Sequence, residues 1–431
     1  MGSQLLNVSR NAVSLRRFLV QLKIKSLRGY VRATGVWGAV VYVLSRIDMG
    51  NYKPGRITVL CVTRPLFSKD LDQLRKRTNI NWITIRNADL EYPQQTWMPE
   101  EMRGQTRFQK YRGAQYEKYW AKSEKFGRLI LTTLQRFIKI DAIMVSHVDY
   151  WQPEGLRLAG AKLGISYLSI NREHFCLPRE QNTVREYYTG YKFEGKAVAV
   201  FGEQTKKVYV NAETCASAQV FVTGPPRMDV WRDIPRKISP QDHVVLLSYY
   251  DKDYLAQENF VEVTKAFVEL AKKYEDSGLT FFIKAKNKPD MFDIMMLCPE
   301  RPKNVKIEFE TTLYDLFPHS RCIIGFNSLA VVEALFSEAK IVVPDWSDAH
   351  KDPIHLIYNP EDETAKRAMA FPKNKNQFVQ EIEETLASDF RLNPDWNARL
   401  DAVRRIYFYD EKLTASQKVE EFVLKNVDPV L

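Results

Sequence analysis

RCIIGFNSLAVVEALFSEAKIVVPD, residues 321–345, packs a strand, a turn, a helix and a second strand into one short run. CIIGF is a buried-strand pattern, and Asn327-Ser328 supplies a helix N-cap. Leu329 to Phe336 is a helix apolar on every side but one, and KIVVPD is a returning strand. Continuous apolar strands on either side of a helix are the mark of a parallel sheet covered on both faces. The exception on the helix is Glu333. A capping box would place its acid at 330 or 331, so Glu333 is not that device. An ionised carboxylate buried without partners costs several kcal/mol. Paired hydroxyls, such as those of a ribose, would offer donors to both of its oxygens.

The same unit recurs in both directions along the chain. Towards the N-terminus, strands are expected at 56–63, 81–86, 142–147, 165–170, 197–202 and 219–224. Helices are expected over 112–138, over 153–163 closed by Gly164, and from 203. RDIPRKISPQD, 232–242, interrupts the alternation with two prolines and mixed charge and reads as a linker. Strands then resume at 243–249, 279–285 and 305–310, with a helix over 258–274 and further helices at 376–388, 396–406 and 413–425. The expected fold is α/β, two doubly wound Rossmann-like domains with a cleft between them, plus an N-terminal helical arm. Boundaries fall at 1–50 for the arm, 51–235 and 243–390 for the two domains, and 391–431 for C-terminal helices that could pack back on the first domain. A chain of 431 residues suits two cores better than one.

Composition narrows the classes. With 45% hydrophobic and 27% charged residues the chain is globular. Its five cysteines are odd in number and contain no C-x-x-C pair, which argues against a disulfide framework or a zinc site and suits a reducing cytoplasm. The net charge of +10 is local: residues 1–56 carry ten Lys/Arg against one acid, Asp48, so the rest is almost neutral. A nucleic-acid partner is therefore not expected. Leu15, Phe18, Leu19, Leu22 and Tyr30 fall on one side of a helical wheel, with Arg17, Lys25, Arg28 and Arg32 opposite. Such a helix suits an anionic membrane surface, here through residues 10–46, although packing on the first domain would explain it too. The apolar run VWGAVVYVLS, 36–45, is too short to span a bilayer.

In doubly wound sheets ligands bind beyond the carboxyl ends of the strands, so the residues just after each strand carry the chemistry. His147 and Asp149 follow one strand; Arg172, Glu173 and His174 follow the next; Lys284 follows a third. GPPRMD, 224–229, combines a turn glycine, two stiffening prolines and an arginine able to fork onto a phosphate or carboxylate. Arg227 and Asp229 could equally pair with each other and brace a hinge. No G-x-G-x-x-G, Walker lysine loop or Ser-His-Asp elbow is present, which sets dehydrogenases and NTPases aside.

The opening segment resembles the nucleotide-binding segment of the GT-B glycosyltransferase superfamily. FVTGPPRMDVW, 221–231, resembles the Gly-x-Pro-Arg-x-Asp signature of bacterial surface-polysaccharide enzymes, among them capsule-type Kdo transferases and CDP-glycerol glycerophosphotransferases. Gly224, Pro226, Arg227 and Asp229 match position by position, and FGEQTKKVYV, 201–210, matches the lead-in. The similarity covers roughly 140–350. The resemblance implies a metal-independent transferase using a nucleotide-sugar as donor, without a further cofactor, and a glycan or lipid-linked glycan as acceptor. It implies Asp229 as nucleophile and Glu173 as acid/base, with His174 and His147 as further catalytic candidates. Ser328, Asn327, Glu333, Lys284, Arg227 and Gly224 would bind the donor. Where relatives carry Lys-x-His-Pro this chain has Lys286-Asn287, a departure that weakens the carry-over to Lys284. CMP-Kdo leads among donors, ahead of CDP-glycerol and UDP-sugars. The expected place is cytoplasmic, peripheral to the inner face of the cytoplasmic membrane. A UDP-sugar 2-epimerase and a non-catalytic glycan- or membrane-binding protein are the alternatives.

Overall fold

The computed structural model describes residues 25–104, 107–248, 257–326, 328–347, 356–387 and 392–427. Asn327 and residues 1–24 of the arm lie outside the described residues.

Two all-parallel sheets form the frame. The first contains β1 (Thr58–Thr63), β2 (Asn81–Arg86), β3 (Ala142–Val145), β4 (Ser166–Asn171), β5 (Ala197–Val200) and β6 (Val220–Val222), ordered β2-β1-β3-β4-β5-β6. The second contains β7 (His243–Leu247), β8 (Thr280–Lys284), β9 (Val305–Glu308), β10 (Ser320–Ile324) and β11 (Lys340–Val342), ordered β11-β10-β7-β8-β9. Strand direction of travel reverses between β1 and β3 in one sheet and between β7 and β10 in the other. Those switch points open crevices at the carboxyl edge, where ligands of such sheets sit. The central strands form because they are runs of β-branched and apolar residues buried on both faces, as in TVLCVT of β1; β9, VKIE at one edge of the second sheet, is partly exposed.

One apolar cluster runs through both domains, from Val59, Phe67 and Trp82 through Trp231 to Phe317, Val332 and Ile406. Trp231 is its joint, stacked on Phe317 and Phe336 at 5.8 and 6.2 Å and edge-on to Tyr314 at 5.0 Å. The C-terminal residues return to the first domain: Phe408 N–H donates to Phe201 O at 2.9 Å, and the helix Ala415–Asn426 packs beside β4 and β5.

The two N-terminal segments distinguished in sequence are one helix over residues 25–44, with Gly35 at φ +66° near their join. Val31, Ala39, Val40 and Val43 bury one side of it on the first domain.

Candidate active site

The candidate residues lie at or beyond the carboxyl ends of β1, β3, β4 and β6 of the first sheet and of β8 and β10 of the second. The loop after β6 is shaped by Gly224, at φ +75°, where an added Cβ would lie 2.4 Å from Phe408 O. The missing side chain is what lets the C-terminal segment pass, so Gly224 has a structural task here. The loop continues as the short helix Pro226–Arg232, which aims Arg227 inward.

Arg227 pairs with Asp70 and not with Asp229. Its backbone N–H donates to Asp70 Oδ1 at 3.0 Å and its Nη1 to Oδ2 at 3.3 Å. Its guanidinium lies 5.3 Å from the Phe201 ring centroid and donates to the Tyr407 hydroxyl. Burial works against the Arg227 charge, but Asp70, Tyr407 and Glu333 together hold it protonated above its ordinary range. Asp70 is fully buried, and burial raises its carboxyl despite Arg227 and the nearby Arg172.

Glu333 reaches the same place from the second domain, on the six-residue helix Leu329–Ala334. It is enclosed by protein yet keeps an accessible face, as a group at the bottom of a cleft does. Burial raises its carboxyl; the opposing fields come from Arg227, then Lys69, then the Trp231 indole N–H. Trp231 Nε1 is buried without an acceptor at hydrogen-bond distance, so its indole acts on Glu333 from slightly farther off. The charge that sequence leaves stranded is thus answered from the other domain. Ser328 caps this helix by backbone conformation, with no side-chain bond, so its hydroxyl is uncommitted. Lys284, at the end of β8, donates to the carbonyls of Phe309 and Ala285 at 2.6 and 3.0 Å. Burial, with repulsion from Lys69, lowers its pKa.

The first switch point holds a second cluster. His147 Nδ1 is hydrogen-bonded to Asp149, whose other oxygen accepts from Tyr187 Oη at 3.2 Å. The imidazole stacks on Tyr150 at 4.6 Å, and Arg64 Nη1 donates to the Tyr150 hydroxyl at 2.5 Å. An imidazole held at Nδ1 by a buried carboxylate presents Nε2 as a proton acceptor. Glu173 is close by: its carboxylate is 43% exposed, 3.5 Å from Arg172, and its field reaches Tyr150.

Two sequence candidates have other tasks. Asp229 accepts from the backbone N–H groups of Ala415 and Ser416 at 2.9 and 2.8 Å, so both oxygens anchor the start of the last helix. His174 is buried, bonded through Nδ1 to Thr205 Oγ1 at 3.0 Å and packed 5.0 Å from the Tyr407 ring. Burial lowers its pKa to about 4, leaving it neutral around pH 7 and not the imidazolium that a general acid would need. Lys69, Asp70, Tyr314 and Tyr407 were not found from sequence. Asp70 had a signal, because it lies with Phe67, Leu71 and Leu74 on the buried side of the helix Ser68–Arg77, as misplaced there as Glu333 is in its own.

A groove of about 590 Å³ lies elsewhere, by Lys340 at the amino end of β11. Its lysines 340, 366 and 373 and Arg367 are paired with carboxylates, and its Arg399 donates to the carbonyls of Ser337 and Ala339.

No protein-family model and no curated protein matches the chain. Among solved structures it is similar to a glycosyltransferase from Rickettsia africae ESF-5, at 11% identity over 87% of this chain and 100% of that one, with a TM-score of 0.50. It is similar too to a Listeria monocytogenes protein assigned as UDP-N-acetylglucosamine 2-epimerase, at 12% identity over 88% of this chain and 98% of that one, with a TM-score of 0.52. At such identity the likeness is one of fold: two facing Rossmann-like domains of the GT-B kind.

Proposed function

We propose that the chain is a glycosyltransferase that moves a sugar from a nucleotide-sugar to a glycan or lipid-linked glycan acceptor. What supports this reading is that the switch point of each sheet carries its own chemically distinct cluster. Glu333, enclosed and raised in pKa, opposes Arg227 and Lys69 on one side. The His147–Asp149 dyad stands at the facing switch point. In this reading Glu333 accepts the ribose hydroxyls of the donor, while Ser328, Lys69 and Lys284 answer its phosphate. His147 Nε2 takes the proton of the acceptor hydroxyl. That oxygen bonds to the anomeric carbon as the bond from that carbon to the phosphate oxygen breaks, and the electron pair leaves with the nucleotide. Glu173, exposed at the rim, orients the acceptor; Arg227 holds Glu333 in register. Asp229 has no place in the chemistry because its oxygens are occupied.

CMP-Kdo ahead of CDP-glycerol and UDP-sugars rests on the GPPRMD resemblance alone, as does a surface-polysaccharide acceptor. Residues 10–46 would hold the protein at the cytoplasmic face of a membrane where such acceptors lie. The epimerase scaffold is shared, and that rival reading needs no acceptor.

The test is a thermal-shift screen with CMP, CDP, UDP and GDP on the wild type and on Glu333→Gln. One base should stabilise the wild type and lose most of its effect in the variant. No shift with any nucleotide at saturation refutes the donor site. Product formed from UDP-N-acetylhexosamine with no acceptor present replaces transfer by epimerisation.

A further inference from the structure

The helix over residues 25–44 has two unlike long sides. One is buried on the first domain through Val31, Ala39, Val40 and Val43. Away from it, Trp37 and Val41, one turn apart, are 59% and 56% exposed, and Tyr30 is 45% exposed. We infer that this exposed face is a docking surface for an anionic bilayer, and that it sets the mouth of the cleft against the lipid headgroups. The inference rests on the membrane part of the reading above and supplies the residues that make the contact.

Three observations favour a bilayer over other occupants. First, the residue types suit the interface: tryptophan and tyrosine bring a large apolar ring with a polar edge, and valine adds apolar area beside them. Second, the charge carried by this stretch of chain is of one sign. Lys25 and Arg32 are exposed on the same helix, and Arg10, Arg16, Arg17 and Lys23 precede it with no acid before Asp48. A second copy meeting this face would bring an equally basic arm to it, which like charges oppose; anionic headgroups would neutralise both. Third, among the described residues no helix is long and apolar enough to cross a membrane, so a helix with one buried and one apolar exposed side would lie in the plane of the interface.

The fold also determines which edge the surface presents. Tyr42, near the C-terminal end of this helix, donates through its hydroxyl to Asp89 at 3.2 Å. Arg46 Nε lies 4.0 Å from the same carboxylate. Asp89 follows the carboxyl end of β2, and Asp48 exchanges backbone bonds with Thr84 of that strand at 3.0 and 2.8 Å. The helix is therefore tied to the carboxyl edge, where Arg64, His147 and Tyr150 open. An acceptor standing in the bilayer would meet the first switch point without leaving the membrane. Arg28, bonded to Gln95, fixes the other end of the helix on the same domain.

The experiment uses the full chain and vesicles of phosphatidylcholine with and without phosphatidylglycerol. Co-sedimentation should require phosphatidylglycerol and weaken with salt. Trp37→Ser should bind about tenfold more weakly, the equivalent of losing one buried aromatic contact. Trp37→Cys carrying an environment-sensitive dye should brighten on the anionic vesicles alone. Three outcomes overturn the inference. The wild type could ignore anionic vesicles, or Trp37→Ser could bind them unchanged. The dye could be bright before vesicles are added, which would mean that residues 1–24 or a second copy cover the face; sedimentation velocity separates those two. The nucleotide shift is read in parallel. Vesicle binding without any nucleotide shift refutes the transferase reading and leaves the surface standing; a nucleotide shift without vesicle binding does the reverse.

Discussion

Replacing Arg227 with methionine tests the central electrostatic argument. The side chain is the cation that Asp70 touches directly and the largest opposing field at Glu333. Methionine fills similar volume without charge, so the change isolates the electrostatics. The Arg227 backbone N–H bond to Asp70 survives, but two enclosed carboxylates lose their counter-charge. Removing one partner of a buried pair costs about 3–5 kcal/mol, and that range is expected here. The pH dependence gives the sharper check. Both carboxyls already lie above their ordinary range, and without Arg227 both move further up. A carboxyl whose folded pKa exceeds its unfolded value binds more protons in the native state across that window. Stability then increases as pH falls through the folded pKa and decreases as pH rises through it. The penalty of Arg227→Met should therefore be largest on the alkaline side, where both carboxyls ionise, and shrink as pH falls towards the ordinary carboxylate range. Urea unfolding followed by tryptophan fluorescence at several pH values measures it. Asp70→Asn in the Arg227→Met background should recover about 1–3 kcal/mol, as one uncompensated charge is removed. A penalty below about 1 kcal/mol, or one equal at every pH, would refute the reasoning; so would an Asp70→Asn cost that simply adds.

Asp229→Ala should destabilise by about 2 kcal/mol, since two buried backbone N–H groups lose their acceptor, whereas Asp229→Asn keeps one acceptor and costs less. Transfer rate in Asp229→Asn should stay within a few-fold of wild type; a loss of about a thousandfold or more would restore it as nucleophile. His174→Gln addresses acid stability. With its pKa at about 4 in the fold, the native state binds fewer protons than the unfolded chain between that value and the usual range. Stability present at neutral pH is thus lost on acidification, by up to about 3 kcal/mol, and the variant should flatten that limb of the urea midpoint against pH. His147→Gln should lower the transfer rate by about 10²–10⁴ while leaving the nucleotide shift intact, and an unchanged rate removes the dyad from the mechanism.

Most strands were readable because they are short runs dominated by β-branched and apolar residues of the right length. NWITIR is β2 residue for residue, and AVAV and HVVLL begin where the apolar runs begin. Helix ends marked by chemistry were readable as well: Gly164, at φ +69°, closes the helix Glu154–Leu163. What the chain order conceals is tertiary pairing. The carboxylate of Asp229 is claimed by amides of Ala415 and Ser416, and the wall beside His174 is Tyr407, both contributed by a C-terminal segment far off in sequence. A post-strand acid or histidine therefore looks the same on paper whether it faces a cleft or a neighbouring helix. His147 and Asp149 escape that ambiguity in part, because two residues apart after one strand they can reach each other without help from elsewhere. Their isolation from the C-terminal return is what the linear pattern could not state.

Asp70 and Glu333 together change how Arg227 is understood. Each is an acid on the apolar side of a helix, one in each domain, and either alone would be a costly oddity. Arg227 sits in the last loop before the linker, and it serves them unequally. Asp70 holds its backbone N–H and its guanidinium by direct bonds, whereas Glu333 is reached by field. A fixed pair within the first domain thus carries a looser attraction to the second. That arrangement leaves the Glu333 oxygens short of donors, since among the described residues the Trp231 indole N–H is the one hydrogen-bonding group acting on them, and it is without an acceptor at full hydrogen-bond distance. A carboxylate kept near a cation but under-supplied with hydrogen bonds gains more from paired hydroxyls than one already saturated. The raised pKa and the affinity for a ribose are then two consequences of the same shortage. Nucleotide affinity should therefore rise as Glu333 ionises, and Glu333→Gln should abolish that pH dependence along with most of the binding; a variant that binds as wild type does at every pH would sever the link.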